Sequence, residues 1–148
     1  MKRLILLLVL LFGITLLSVC QNTVNKGVLT IKLTGFRNDK GQTCVSLFNN
    51  AKGYPGKYEQ AYKINRSVIR GNQAIVEFSD LPFGTYAVSV LHDENSNNKM
   101  DTSFIGMPKE GMGASNNPRG RLGPPTFNDA KFELSSNSKT IEISIKYL

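Results

Sequence analysis

The stretch Ile141-Glu142-Ile143-Ser144-Ile145-Lys146-Tyr147 alternates apolar and polar side chains without a break. Successive side chains of an extended chain point to opposite faces, so a period of two predicts a strand with one face buried. The same alternation occurs in Tyr86, Val88 and Val90, in Ala74, Val76 and Phe78, and in Leu29, Ile31 and Leu33, where Thr30, Lys32 and Thr34 face the other way. Residues 43–48, a weaker run over 62–69 and residues 131–134 bring the expectation to about seven short strands. Turn residues separate them at Asn38-Asp39-Lys40-Gly41, Arg70-Gly71-Asn72, Leu81-Pro82-Phe83-Gly84 and Ser135-Ser136-Asn137-Ser138; these types accept positive φ or bond their own backbone. Residues 58–62 can form a single helical turn, but no sustained helical period appears. Strands in hairpin order without crossover helices predict an all-β fold, an antiparallel β-sandwich of immunoglobulin-like or transthyretin/prealbumin-like topology with one long loop.

Composition narrows the class further. With 41% hydrophobic and 20% charged residues in 148, the chain is neither a disordered polymer nor a polytopic membrane protein. Its two cysteines are too few for a disulfide scaffold. True immunoglobulin domains carry a Cys, Trp, Cys core, and this chain has no Trp.

The N-terminus reads as an address. Met1, Lys2 and Arg3 precede an apolar run over residues 4–17, which has the length of a secretory h-region rather than of a spanning helix. Leu17-Ser18-Val19-Cys20 resembles a lipobox, with Cys20 the lipidation site, although Val19 stands where a small residue is usual. Cleavage after Cys20 by ordinary signal peptidase is the other reading. Residues 1–20 are therefore expected to be a signal peptide of lipoprotein or ordinary type, residues 21–27 a polar tether, and residues 28–148 a single domain, exported to the periplasm or held at a membrane by a lipid anchor. Cys44 is then left as a small buried residue without a disulfide partner.

Loss of Lys2 and Arg3 with the leader leaves 16 basic against 11 acidic residues. These basic residues are spread along the chain, with no stripe or stacking aromatics between them, so nucleic acid is not an expected partner. The mild positive charge suits an anionic envelope surface.

Between residues 93 and 129 the alternation stops and Asn, Gly and Pro crowd in, far beyond the roughly 4 to 6 residues of an ordinary connection. Its first part, His92-Asp93-Glu94-Asn95-Ser96-Asn97-Asn98-Lys99-Met100-Asp101, sets oxygen-bearing side chains at Asp93, Asn95, Asn97 and Asp101, with the Lys99 carbonyl between them. Alternate positions of a tight loop converge, and Ca²⁺ requires six to eight oxygens together. The spacing follows an EF-hand-type loop but has Asn98 in place of the turn glycine and Phe104 in place of the bidentate acid. Ca²⁺ is thus the one candidate cofactor, and if it binds the affinity is expected to be weak, with Glu94 or Glu110 available to complete the shell. The competing reading is turn chemistry alone, because Asn and Asp cap such loops without metal.

His92, the single histidine, ends the Tyr86-Val88-Val90 face and is expected to be either a structural hydrogen-bonded residue or part of a ligand site. Further along, Glu110, Asn116, Asn117, Arg119 and Arg121 are candidate ligand contacts, the two guanidinium forks suited to a carboxylate or sugar acid. No Ser or Cys stands in a nucleophile motif, so no catalytic residue is assigned.

Residues 33–41, the turn Leu81-Pro82-Phe83-Gly84-Thr85-Tyr86, the acidic loop from His92, and the string Ser115-Asn116-Asn117-Pro118-Arg119-Gly120 followed by Gly123-Pro124-Pro125 together resemble domain-of-unknown-function family 2141. The resemblance implies a small exported β-sandwich domain without an assigned activity. Its acidic loop commonly has Gly where this chain has Ser96 and Asn98. The Leu81–Tyr86 turn is also similar to the LPxGxY turn of carboxypeptidase-regulatory and collagen-adhesin B-type sandwiches, which bears on fold alone. The function expected is an exported cell-envelope binding module of unidentified ligand or protein partner, calcium-ordered through residues 93–101. The alternatives are a structural subunit of an envelope assembly and a hydrolase-type enzyme using His92 and nearby carboxylates.

Overall fold

The computed structural model describes residues 25–119 and 123–148; the leader, Cys20 and Arg121 lie outside the described residues. The first sheet has β1 (Lys26–Thr34) between β4 (Ala74–Pro82) and β8 (Ser138–Ser144). The second is built on β5 (Gly84–Asp93), flanked on one side by β2 (Gln42–Phe48) and then β3 (Lys63–Ser67). Two short strands share the other edge of β5: β7 (Phe132–Leu134) pairs with Gly84 to Tyr86, and β6 (Gly111–Ala114) with Ser89 to His92. The all-β sandwich read from the alternation is the fold found.

The core lies between the sheets, where Leu29, Ile31 and Leu33 meet Val45, Leu47, Val76, Phe78, Val88, Val90, Leu134 and Ile143. These are the alternating positions of the sequence, and burial of their apolar surface is the main stabilising term. All of these core residues fall between Leu29 and Ile145, so residues 25–148 contain a complete hydrophobic core. The outer face of the second sheet is covered too. Tyr54 and Phe127 pack on Ala87, Ala114 and Ala130, the last in the one-turn helix α1 (Phe127–Ala130), whose N-terminus is closed by a Thr126–Asp129 capping box. Phe48 of β2 stacks on Tyr54 beneath this cover, at 5.2 Å between ring centres, and β2 is buried on both faces; its Cys44 is a buried free thiol, and burial pushes the thiol pKa up.

Three details differ from the expectation. First, β1 and β8 are parallel rather than antiparallel. The end of β7 lies beside Gly84, Phe83 N–H donates to the Asn25 carbonyl at 2.9 Å, and Val28 N–H donates to the Asn137 carbonyl at 2.9 Å. Residues 135–137 thus step across the end of the sandwich and deliver β8 alongside the start of β1, running the same way. Second, residues 93–129 are not one loop, because β6 and the start of α1 lie within them. Third, the described residues form eight strands. The weak helical signal near residue 58 is a 3-10 turn at Tyr58–Gln60.

Candidate functional site

Pairing brings the start of β2, the end of β5 and the start of β6 to one end of the sandwich, through Gln42 opposite Asp93 and His92 opposite Gly111. Three polar side chains are sealed there. His92 and Asp93 are 0% exposed and Glu110 is 3% exposed.

His92 has both ring nitrogens engaged, Nε2 with the Lys40 carbonyl at 2.8 Å and Nδ1 with Tyr147 Oη at 2.6 Å. A carbonyl only accepts, so Nε2 carries the proton, and in the neutral ring Nδ1 accepts the Tyr147 hydroxyl. Tyr147 Oη in turn accepts Arg37 N–H at 3.1 Å, and burial raises the Tyr147 pKa. Phe36 stacks edge-on at 5.0 Å from the imidazole. His92 ties β5, the 38–41 turn and the C-terminal segment together.

Asp93 turns the chain. Its Oδ1 accepts Asn97 N–H at 3.0 Å and its Oδ2 accepts Asn98 N–H at 2.9 Å and Gln42 Nε2 at 3.1 Å. Ser96 and Asn98 adopt left-handed φ of 59° and 62°, the conformation for which Asn98 stands in for glycine. Above this turn three of the side chains lie together: Asn95 Nδ2 donates to Asp101 Oδ2 at 2.7 Å, and Asn97 Nδ2 to Asp101 Oδ1 at 3.0 Å. The amide oxygens of Asn95 and Asn97 accept the N–H groups of Asn97 and Lys99.

Glu110 clamps the loop from below, Oε1 accepting Glu94 N–H at 2.9 Å and Oε2 accepting Asp101 N–H at 3.0 Å. Glu94 is engaged elsewhere. Arg37 forks onto it, Nε to Oε1 at 2.6 Å and Nη2 to Oε2 at 3.0 Å, and holds its carboxyl below the ordinary carboxylate pKa. The same guanidinium lies 4.6 Å from the Tyr147 ring centre. Arg37, Lys40, Glu94, Asn95, Asp101, Lys109 and Glu110 line an open cleft of about 370 Å³.

The remaining candidates lie elsewhere. Asn116 and Asn117, both with left-handed φ, are staples: Asn116 Nδ2 donates to the Lys131 carbonyl at 2.9 Å, and Asn117 Nδ2 to the Glu142 carbonyl at 3.0 Å. The neighbouring Ser115 Oγ accepts Val88 N–H at 2.9 Å and donates to the Ala130 carbonyl at 2.6 Å. Arg119 is exposed, away from the cleft lining. Sequence reading missed Arg37, Lys40 and Lys109 in the cleft and Gln42 and Tyr147 beneath it. Arg37 and Glu94 are 57 residues apart, so only the fold could pair them.

The donor set of the 93–101 loop suits a weakly held hard cation: two carboxylates, two amides and a backbone carbonyl. Among the described residues no group of three or more His, Cys, Asp and Glu is arranged to hold a metal. An ion here would therefore depend on the amides. Both now present nitrogen to Asp101, so both would have to turn.

A fully packed β-sandwich with a polar loop end, sealed from beneath and open above, is the class of protein this architecture defines. Residues 31–142 match the family described as "Uncharacterized protein conserved in bacteria (DUF2141)", and the chain belongs to that family. No curated protein and no solved structure matches it.

Proposed function

We propose that the chain is an exported cell-envelope binding module whose ligand surface is the 93–110 end of the sandwich, with Ca²⁺ ordering residues 93–101. Export is supported by Lys2 and Arg3 ahead of the apolar run over residues 4–17. The observation that carries the calcium reading is the gathering of Asn95, Asn97 and Asp101 above a turn capped by buried Asp93. A second feature agrees with it. Among the described residues, neither Asp93 nor Glu110 has a Lys or Arg within ion-pair distance, so backbone N–H dipoles and a Gln42 amide are the partners of two buried carboxylates. A nearby cation would offset that charge in a medium of low dielectric. Asp93, Asn95, Asn97, Asp101 and the Lys99 carbonyl would hold the ion, and its contribution would be rigidity of the loop. His92, enclosed and doubly bonded, acts here as a brace and not as an acid or base.

Thermal unfolding of residues 25–148 in Ca²⁺, in chelator and in Mg²⁺ tests the reading. With a dissociation constant of about 0.1 to 1 mM, Ca²⁺ at about ten times that value adds roughly 1.4 kcal/mol, a rise of a few degrees in Tm. Asp101→Asn, which leaves the buried caps intact, should abolish the rise. An unchanged Tm at about 10 mM Ca²⁺ would leave the loop as turn chemistry alone.

A further inference from the structure

Residues 102–108 form a tight hairpin projecting from the site. Ser103 N–H donates to the Met107 carbonyl at 2.7 Å, Gly106 N–H to the Ser103 carbonyl at 2.9 Å, and Met107 N–H to Ser103 Oγ at 3.1 Å, with Thr102 and Pro108 bridged. Gly106 supplies the φ of 80° that the turn requires. At the base, Lys109 N–H donates to the Asp101 carbonyl at 2.9 Å, and Asp101 N–H reaches buried Glu110. The turn is held from within and from below, and what it holds out is apolar. Phe104 is fully exposed, Ile105 is 76% exposed, and Met107 is about half exposed. Single exposed apolar side chains are ordinary, but adjacent ones on a hydrogen-bonded tip mark a contact surface.

The charge around the tip selects the partner. Arg37, Lys40, Lys99 and Lys109 are exposed, while Asp93 and Glu110 are buried and Glu94 and Asp101 only partly accessible. Glu94 answers Arg37 and the exposed Asp39 accepts the Gly71 and Asn72 N–H groups, which leaves Lys40, Lys99 and Lys109 against the partly accessible Asp101 as the outward charge of this end. An apolar wedge rimmed by lysines fits a bilayer bearing anionic headgroups, where apolar side chains enter the acyl boundary and ammonium groups meet phosphate.

We propose that Phe104 and Ile105 insert into the surface of an anionic phospholipid bilayer, with Lys99 and Lys109 on its headgroups. The proposal rests on the envelope reading above and names the ligand of that end of the sandwich; it does not require Ca²⁺. So small a wedge binds reversibly, in the manner of one weak anchor that gains its effect beside a second.

The chain contains no Trp, so Phe104→Trp in residues 25–148 places a single indole at the tip. With vesicles of phosphatidylcholine and phosphatidylglycerol, in chelator, its emission should move to the blue and the protein should sediment with lipid. Phosphatidylcholine alone should do neither, and added salt should reverse the effect. By sedimentation, Phe104→Ser or Ile105→Ser should weaken the partition roughly ten-fold or more, and Lys99→Gln with Lys109→Gln by roughly five-fold per charge. No blue shift, equal binding to neutral vesicles, or indifference to the serine substitutions overturns the proposal. A blue shift that grows with protein concentration and needs no lipid overturns it in favour of a second copy of this chain. The calcium reading fails separately: vesicle binding with no Ca²⁺-dependent Tm rise supports the wedge and removes the metal. A Tm rise without vesicle binding removes the wedge.

Discussion

The two ends of the packing problem are solved by different physics in this molecule. Between the sheets, Leu29, Ile31, Leu47, Val88 and Ile143 are held by non-directional apolar contact. At the 93–110 end, His92, Asp93 and Glu110 are just as buried but are held by directional bonds to backbone groups and to the Gln42 and Tyr147 side chains, each of which leaves an orphan if its partner goes. The first region tolerates a change of shape better than a change of volume. The second tolerates neither a change of charge nor an exchange of donor for acceptor, and its order extends to a loop with little apolar packing of its own. A loop organised this way can stay exposed and still keep one geometry.

The largest effect should come from Leu47→Ala, which leaves a cavity between the sheets and should cost about 2 to 5 kcal/mol in urea unfolding. The N–H groups of Glu94 and Asp101 should keep their hydrogen-exchange protection relative to the rest of the weakened domain. Glu110→Gln attacks the other region at constant shape. One acceptor becomes an NH₂ facing either Glu94 N–H or Asp101 N–H, at a cost of about 1 to 3 kcal/mol, and exchange at those two amides should quicken before any global change. If both substitutions loosen both regions equally, the distinction between them fails.

The smallest effect is electrostatic. The Arg37 fork lowers the Glu94 pKa below its ordinary 4.5. A lowered native pKa gives stability that is present above the unfolded value and is lost as pH falls through the native one. The contribution should therefore be full at neutral pH and disappear below about pH 4.5. It should also be small, because Arg37 is half exposed and screened. An NMR titration should find the Glu94 midpoint below 4.5, and Arg37→Gln should move it back up; a midpoint that ignores the substitution would assign the shift to the Asn38 amide instead.

The strands were legible wherever one face met the core, because burial on one side of a pleated chain imposes a period of two. Gly111-Met112-Gly113-Ala114 carried no such signal, yet it forms β6. A Cβ at Gly111 would stand 2.6 Å from Ile145 Cγ2 and Tyr147 Cε1, and one at Gly113 would stand 2.7 Å from Ile143 Cγ2. The glycines that hid the strand let it lie against the side chains of the opposite sheet. Met112 and Lys146 exchange backbone bonds at 2.8 Å there, joining the two sheets at that edge. The nearness of Asn95, Asn97 and Asp101 is local in the sequence, but the place of Arg37, Lys40 and Lys109 beside Glu94 is not, since it depends on segments 54 and 57 residues apart or on the path of the hairpin. Asn116 and Asn117 read as ligand contacts by type, and the structure shows their amides bonded to the backbones of the Lys131 and Glu142 segments.

The sequence by itself determined the all-β class, the apolar faces and the local turn at Asp93, which depend on residues within a few positions of one another, and the family, which is carried by short motifs spread along the chain. Only the tertiary structure decided that β8 runs parallel to β1, that Glu110 lies beneath the loop, and that Phe104 and Ile105 stand out from it. Each of these follows from where distant segments are brought together by a shared core, and no short stretch of the chain carries that information.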